Sequence, residues 1–354
     1  MIKEEVSISF HGGTREVTGA CYLLEVGRKK ILVDCGMLQD CDDCDRRNYD
    51  LFPFKAKDVS AVIITHAHID HIGRFPKLYR EGFRGRVYAT PPTRDLAELL
   101  LEDAMGFFRE GQYLYTASDL AAALNLFNTL GYNEEVDLGQ GVSLKLLQAG
   151  HILGSAFARI KIGEKVFLFS GDIGNEPSIL LPPRASIPEA NVLITESTYG
   201  NKLHKHTSDR RLMLERAMED VAARNGVLML PVFATERTQE ILFEINEMIQ
   251  QKRVPAMPVF LDSPLAAKTT AVFSKYPGYY REEVQHLLKE HRHLFDFKNL
   301  KFTLSVEESK AINNVPAPKL ILAGSGMSTG GRILHHEKRY LKDSQSILVI
   351  TGYQ

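Results

Sequence analysis

The stretch that most constrains this chain is Thr65-His66-Ala67-His68-Ile69-Asp70-His71, which follows directly on the apolar run Ala61-Val62-Ile63-Ile64. A short, unbroken apolar run suits a strand buried on both faces. At its end, four ligand-type side chains (His66, His68, Asp70 and His71) fall within six residues. His66 and His68 can project together from an extended or tightly turned segment, and Asp70 and His71 can then point to a second position nearby. Imidazole nitrogen and carboxylate oxygen suit zinc at about 2.0–2.2 Å, and suit other first-row divalent ions such as manganese. A polar loop that merely follows a strand rarely carries four such residues at this spacing.

Single residues at other predicted strand ends extend the cluster. His151 lies in Gly150-His151-Ile152-Leu153-Gly154-Ser155, and Asp172 closes the strand ending Ser170-Gly171. Alone, each is weak: a lone His is usually a hydrogen-bonded structural residue, and a lone Asp a cap or turn. Together they make a two-metal site, with His66, His68 and His151 on one ion, Asp70 and His71 on the other, and Asp172 bridging. Two ions ~3.5–4 Å apart can share a hydroxide, lower its pKa and clamp both the attacking and leaving oxygens of a phosphodiester. Asp34, in Leu32-Val33-Asp34-Cys35-Gly36, ends another strand. It is expected to hold the ligand loop by hydrogen bonds rather than to touch metal.

The 354 residues correspond to roughly two domains. Up to about residue 200 the pattern is strand-rich: Val6 to Phe10, a hairpin across Gly27-Arg28, Ala61 to Ile64, Arg86 to Ala89, Val142 to Leu147, a hairpin across Gly163-Glu164, and Asn191 to Thr195. Helices are expected over about Arg94 to Phe108, opened by Pro91-Pro92-Thr93, and over Ser118 to Leu130 with a Ser cap. Beyond 200 the chain alternates: helix 208–224, strand 226–232, helix 236–252, strand 258–261, helix 264–275, strand 319–323, helix 330–342, strand 346–351. Such alternation implies parallel strands with helical crossovers, a doubly wound unit. The expected domains are 1–200 and 201–354.

Lys plus Arg number 43 against 44 Asp plus Glu, a formal net charge of −1. Contact with nucleic acid must therefore come from a local basic surface. No apolar run approaches the roughly 18 residues of a membrane span. MIKEEVSISF lacks the basic and apolar regions of a signal peptide, so no membrane partner and a cytoplasmic location are expected. All four cysteines (Cys21, Cys35, Cys41 and Cys44) lie in the first 44 residues. Cys41, Cys44 and Cys35 can bind a metal or form a redox pair. Asp40, Asp42, Asp43 and Asp45 disfavour the thiolates this needs, and a cytosolic chain would not keep a disulfide. The expectation is a surface loop with incidental thiols.

The order Asp34, His66-x-His68-x-Asp70-His71, His151, Asp172 resembles motifs one to four of the metallo-β-lactamase superfamily. That resemblance implies an αββα sandwich with metals at one edge, over roughly residues 1–200. Thr195-Glu196-Ser197-Thr198-Tyr199-Gly200-Asn201 is similar to motif A of the β-CASP branch, whose members process nucleic acid. Pro231 to Glu240, Asp262 to Ala266 and Gly324 to Gly331 also resemble that branch, so the likeness spans nearly the whole chain. Within that branch the sequence resembles the nuclease subunit of the pre-mRNA cleavage and polyadenylation factor and its prokaryotic homologues, and more distantly RNase J. The resemblance implies an inserted, doubly wound β-CASP cap over the metals. It implies two divalent ions, zinc foremost, and hydrolysis of single-stranded RNA by a metal-bound hydroxide. Cleavage would be endonucleolytic, with 5′-exonucleolytic trimming as a second mode. A homodimer stays open.

The family also places two histidines, motifs B and C, after the cap. This sequence stops at Thr351-Gly352-Tyr353-Gln354. His335 and His336 lie too early and on an expected cap helix. The expectation is an incomplete lactamase domain that is weakly active or inactive as written and holds its second metal poorly. Glu196 takes its catalytic role beside Asp70 from the resemblance, since the motif A acid orients the motif B histidine; otherwise it would cap Ser197 and Thr198. Ser325, Gly326, Ser328 and Thr329 lie in a Gly/Ser-rich turn before a helix, where backbone N–H groups can bind an RNA phosphate. Arg237 can contact phosphate or make a surface salt bridge. His204 and His206 read as solvated, and Arg80, Arg84 and Arg86 as a solvated face. Two other functions compete: a small-molecule metallo-hydrolase, which the residues after 200 argue against, and an RNA-binding scaffold that has lost catalysis.

Overall fold

The computed structural model describes residues 5–108, 111–175, 178–202, 210–291 and 293–352. His204 and His206 lie outside the described residues. The chain divides into two compact units, Met1–Gly200 and Asn201–Gln354.

In the first unit, six strands form one sheet in chain order: β1 (Val6–Phe10), β2 (Tyr22–Val26), β3 (Lys29–Val33), β4 (Val59–Ile63), β5 (Arg86–Ala89) and β6 (Phe127–Thr129). β1 to β3 are antiparallel, whereas β3 to β6 run parallel. A second sheet holds β7 (Glu135–Gly139), β8 (Val142–Gln148), β9 (Ala156–Ile162), β10 (Lys165–Phe169) and β11 (Val192–Ile194), ordered β11-β10-β9-β8-β7. Residues two apart share a face of a strand. Leu24, Ile31, Val33, Ala61 and Ile63 from one sheet therefore meet Leu144, Leu146, Ala158, Ile160 and Phe169 from the other in one buried core. Leu32, Val62 and Val87, on the opposite face of the first sheet, are equally buried. Helices Phe75–Arg80, Pro91–Ala104 and Ala117–Leu124 bury Phe75, Leu96 and Leu120 on that side.

In the second unit, β12 (Val227–Pro231), β13 (Val259–Asp262), β14 (Leu300–Phe302), β15 (Lys319–Ala323) and β16 (Ile347–Leu348) form a sheet ordered β14-β13-β15-β12-β16. Every pairing in it is parallel. Helix Arg210–Arg224 precedes β12, and helices Arg237–Gln250, Pro264–Lys275 and Ile333–Tyr340 lie between the strands in sequence. Among the described residues, no helix is long and apolar enough to cross a membrane.

Several local expectations need correction. The helix expected from Arg94 starts at Pro91, because Thr90 caps it and both prolines sit in the first turn, where their missing N–H groups are not needed. The helix expected over Ser118–Leu130 is capped by Thr116, in a reciprocal box with Asp119, and ends at Leu124. Phe127–Thr129 instead pairs with β5 as an edge strand. The cysteines are not incidental surface thiols. Cys41 and Cys44 form a disulfide, with Cα atoms 5.2 Å apart as such a bridge requires. Cys44 is buried at the start of the short helix Cys44–Tyr49, and Cys21 and Cys35 are buried free thiols.

Phe169 is 1% exposed and its ring stacks on Tyr22 with centroids 6.1 Å apart. Phe169→Ala should cost the first unit about 3–5 kcal/mol. Denaturant titration followed through a probe in that unit checks this; an unchanged midpoint would show that the two sheets do not depend on this contact.

Candidate metal centre

Strand ends bring the predicted residues together. β4 runs into Thr65 and His66, and the short helix Ile69–Ile72 carries Asp70 and His71. The turn between β8 and β9 presents His151, the residues after β10 present Asp172, and Asp34 follows β3. One ligand atom each from His66, His68, His151 and Asp172 lie within 4.8 Å of one another. His68 Nδ1 is 3.2 Å from His66 Nε2 and 3.1 Å from His151 Nε2. Asp172 Oδ2 lies 3.3 Å from His151 Nε2 and 3.7 Å from His66 Nε2. Its other oxygen, Oδ1, is 3.1 Å from His71 Nε2, which is itself 3.8 Å from Asp70 Oδ2. Asp172 therefore faces two donor groups with its two oxygens.

The electrostatics follow from burial. Burial, then the neighbouring His71, holds His66 well below the ordinary imidazole range. Burial, then His151, brings His68 to about 4, and burial also lowers His151. All three are neutral near pH 7, with lone pairs available. For His71 burial acts in the same direction, but the carboxylates of Asp34, Asp70 and Asp172 outweigh it and raise the pKa well above the usual value. For Asp172 burial acts upward, but His66, His71 and His151 outweigh it and hold the carboxyl well below the carboxylate range. Neutral imidazoles converging on an ionised carboxylate are the donor set of a divalent metal ion, so the residues present fit such an ion.

A second layer fixes the donors. Asp34 is fully buried with φ +59°; its Oδ1 accepts from Thr65 N (2.8 Å), and its Oδ2 accepts from Thr65 Oγ1 (2.8 Å) and pairs with His71 Nδ1 (2.7 Å). This orients His71 Nε2 toward Asp172. Thr65 Oγ1 also lies 3.1 Å from His66 Nδ1. Ser155 Oγ accepts from the N–H groups of His151 and Ile152, which sets the His151 turn. Gly36 packs beneath the ligand helix: a Cβ there would lie 1.5 Å from the Asp70 carbonyl oxygen. Arg74 is buried and donates to the Gly36 carbonyl. The sequence reading missed Thr65, Ser155 and Arg74. Their only signal was adjacency to the ligand motifs, because hydroxyl and guanidinium partners depend on chain contacts remote in sequence.

The remaining predicted residues lie elsewhere. The Glu196 carboxylate accepts from Ile173 N (3.2 Å) and Thr198 N (3.1 Å), bracing the residue after Asp172. In the second unit, Ser325, Gly326, Ser328 and Thr329 share one turn. There Ser325 Oγ already accepts from the N–H groups of Thr329 and Gly330, and Ser328 Oγ donates to Glu337. Arg237 pairs with Glu240 at 2.9 Å. His336 is buried against Asp262 at 2.7 Å.

The model of the Metallo-beta-lactamase superfamily matches residues 14–226, and that of the Beta-Casp domain matches residues 238–354. The chain belongs to the β-CASP branch of the metallo-β-lactamase superfamily. It is 40% identical to a protein of Thermus thermophilus named ribonuclease, over 97% of this chain and 78% of that one. It is 35% identical to the transcription termination factor FttA of Methanocaldococcus jannaschii, over 99% of this chain, and spans 56% of that protein's length. A protein of unknown function from Enterococcus faecalis shares the fold, with a TM-score of 0.54 at 12% identity over 99% of this chain and 88% of that one. The β-CASP branch of this superfamily is built around divalent metal ions, which agrees with the donor set.

Two outcomes are expected. Asp34→Ala removes the partner of Thr65 and His71 and should weaken metal binding by about 10–100-fold; competition against a chelator reads this directly, and unchanged affinity would remove Asp34 from the support of the site. The second concerns pH in the metal-free protein. His68 titrates at about 4 when folded and near 6.5 when unfolded, so between those values the unfolded chain binds more protons and stability falls as pH drops. The raised pKa of His71 gives stability that is fully present below 6.5 and so does not offset that slope. Thermal melts of chelator-treated protein at about pH 7 and about pH 5 should show the lower midpoint in acid.

Proposed function

We propose that this protein is a metal-dependent ribonuclease that hydrolyses phosphodiester bonds of single-stranded RNA in the cytoplasm, with endonucleolytic cleavage as its main mode. The observation that carries the reading is Asp172: its two oxygens face His66 and His151 on one side and His71 on the other. His66, His68 and His151 would hold one ion, Asp70 and His71 the second, and Asp172 both. Zinc suits this nitrogen-rich set best, with manganese second. The relative named ribonuclease supports RNA as the substrate. Bound there, two divalent ions supply a lowered water pKa and positive charge opposite the phosphodiester oxygens.

The chain's own residues do the positioning. Asp34 holds His71 through Nδ1 and leaves Nε2 to face Asp172. Glu196 acts through Asp172, since it fixes the N–H of the next residue, Ile173. The Gly/Ser turn of the second unit is the proposed phosphate contact, through Ser325, Gly326, Ser328 and Thr329; an RNA oxygen there would compete with the Ser325 hydroxyl for the turn's N–H groups. Arg237 would have to exchange Glu240 for phosphate.

Elemental analysis paired with cleavage of end-labelled single-stranded RNA tests the reading. About two metals per chain are expected, and Asp70→Ala should reduce cleavage at least about 10²–10³-fold. Absence of bound metal, or cleavage that survives Asp70→Ala, would overturn it. Glu196→Gln should lower the cleavage rate while leaving the KM for RNA within about twofold, as befits a positioning residue; a change confined to KM would move Glu196 to substrate binding.

A further inference from the structure

We infer that Cys41 and Cys44 form a thiol–disulfide exchange site at which a dithiol reductant loosens the segment supporting the metal centre. The bridge spans a sequence separation of three. So short a ring restricts the unfolded chain little, so global stability is not its main product. Where disulfides form in reducing compartments they are usually transient, catalytic or redox-sensing. Cys41 is exposed and open to attack, whereas Cys44 is buried. Cys21 and Cys35 are fully buried and out of reach of a reductant.

The chain from the disulfide back to Asp34 has no slack. Gln39 N donates to Thr18 Oγ1, which donates in turn to the Gln39 carbonyl. The buried Asn48 side chain clasps both the N–H (2.9 Å) and the carbonyl (2.8 Å) of Leu38. Met37 N donates to Ile69 O (2.9 Å), and Cys35 N to His71 O (2.8 Å). Asn48 sits on the helix that Cys44 begins, so the disulfide fixes where Asn48 meets Leu38. Between the bridge and the clasp lies Asp40, in the left-handed region at φ +58°. Freed of the bridge, this turn can relax and take the clasp with it.

In the exchange, a reductant thiolate attacks Cys41 Sγ, the Cys41–Cys44 bond breaks, and Cys44 leaves as a thiolate. The reductant's second thiol then attacks its own sulfur in the mixed disulfide and releases Cys41. Both cysteines take up protons, so two electrons and two protons pass to the protein and the reductant ends as a disulfide. Asp40, Asp42, Asp43 and Asp45 surround the pair in sequence. Their charge disfavours thiolates, which slows exchange in both directions and lets each state persist.

The link to metal rests on the proposed centre; the exchange itself does not. Protein isolated without reductant should resist alkylation at Cys41 and Cys44. After dithiothreitol both should label, while Cys21 and Cys35 stay unlabelled without denaturant. Amide exchange over residues 35–39 and 69–72 should then quicken about tenfold, and metal release to a chelator should quicken with it. The double variant Cys41→Ser/Cys44→Ser should show the fast rates with or without dithiothreitol. Labelling of Cys41 and Cys44 before reduction, or equal amide-exchange rates in both states, would overturn the proposal. A chain that shows the labelling and the faster amide exchange yet binds no metal would support this site and overturn the metal reading instead.

Discussion

The buried carboxylate of Asp34 is the constraint on which the first unit depends. A fully buried charge is costly unless every lone pair finds a donor. Asp34 meets this with the Thr65 N–H, the Thr65 hydroxyl and His71. Asp34 itself follows β3, and its partners come from the end of β4 and from the helix Ile69–Ile72, so satisfying one charge fixes three segments at once. A one-residue slip between β3 and β4 would remove Thr65 from Asp34 and turn the apolar faces of the strands. Fold and candidate site are thus secured by the same bonds.

The second unit repeats the device for another purpose. Asp262, at the end of β13, is fully buried; it accepts from Arg332 and Thr303 through Oδ1 and from His336 and Ser309 through Oδ2. Burial raises its pKa, but these bonds prevail and hold it well below the usual carboxylate range. Arg332 and His336 flank one turn of the helix that follows the Gly/Ser turn, so the carboxylate anchors that turn from beneath.

Most of the candidate metal centre was legible because its residues cluster in sequence or end recognisable strands. His66, His68, Asp70 and His71 announce themselves by spacing, and His151 and Asp172 by their glycine-flanked strand ends. The parallel sheet beyond residue 200 was legible from alternating apolar runs and helical periods, and the helix 264–275 has the bounds read for it. What escaped depended on long-range partners. β6 looked helical because Ala121, Ala122 and Ala123 lead into it, and only its pairing with β5 makes it a strand. The Cys41–Cys44 bridge was set aside because a cytosolic chain was not expected to keep a disulfide, although spacing alone permits it. Thr65 and Ser155 are unremarkable residues until the fold brings acceptors and donors to them.

The two buried histidines His71 and His336 show why residue type alone does not mark a metal site. Each makes a 2.7 Å bond to a buried aspartate. His336 spends Nε2 on a carboxylate that Arg332 already neutralises, and its environment is closed by hydroxyl donors. His71 spends Nδ1 on Asp34, and its Nε2 faces Asp172 and Asp70, two further carboxylates with no guanidinium or ammonium among their ion-pair partners in the described residues. The first arrangement is balanced within the protein. In the second, protonated His71 offsets one of the three carboxylates of Asp34, Asp70 and Asp172; the negative charge left over suits a bound cation, and the neutral imidazoles of His66, His68 and His151 cannot offset it without giving up their lone pairs. The unbalanced charge, rather than the number of histidines, is what makes this strand edge a candidate metal centre.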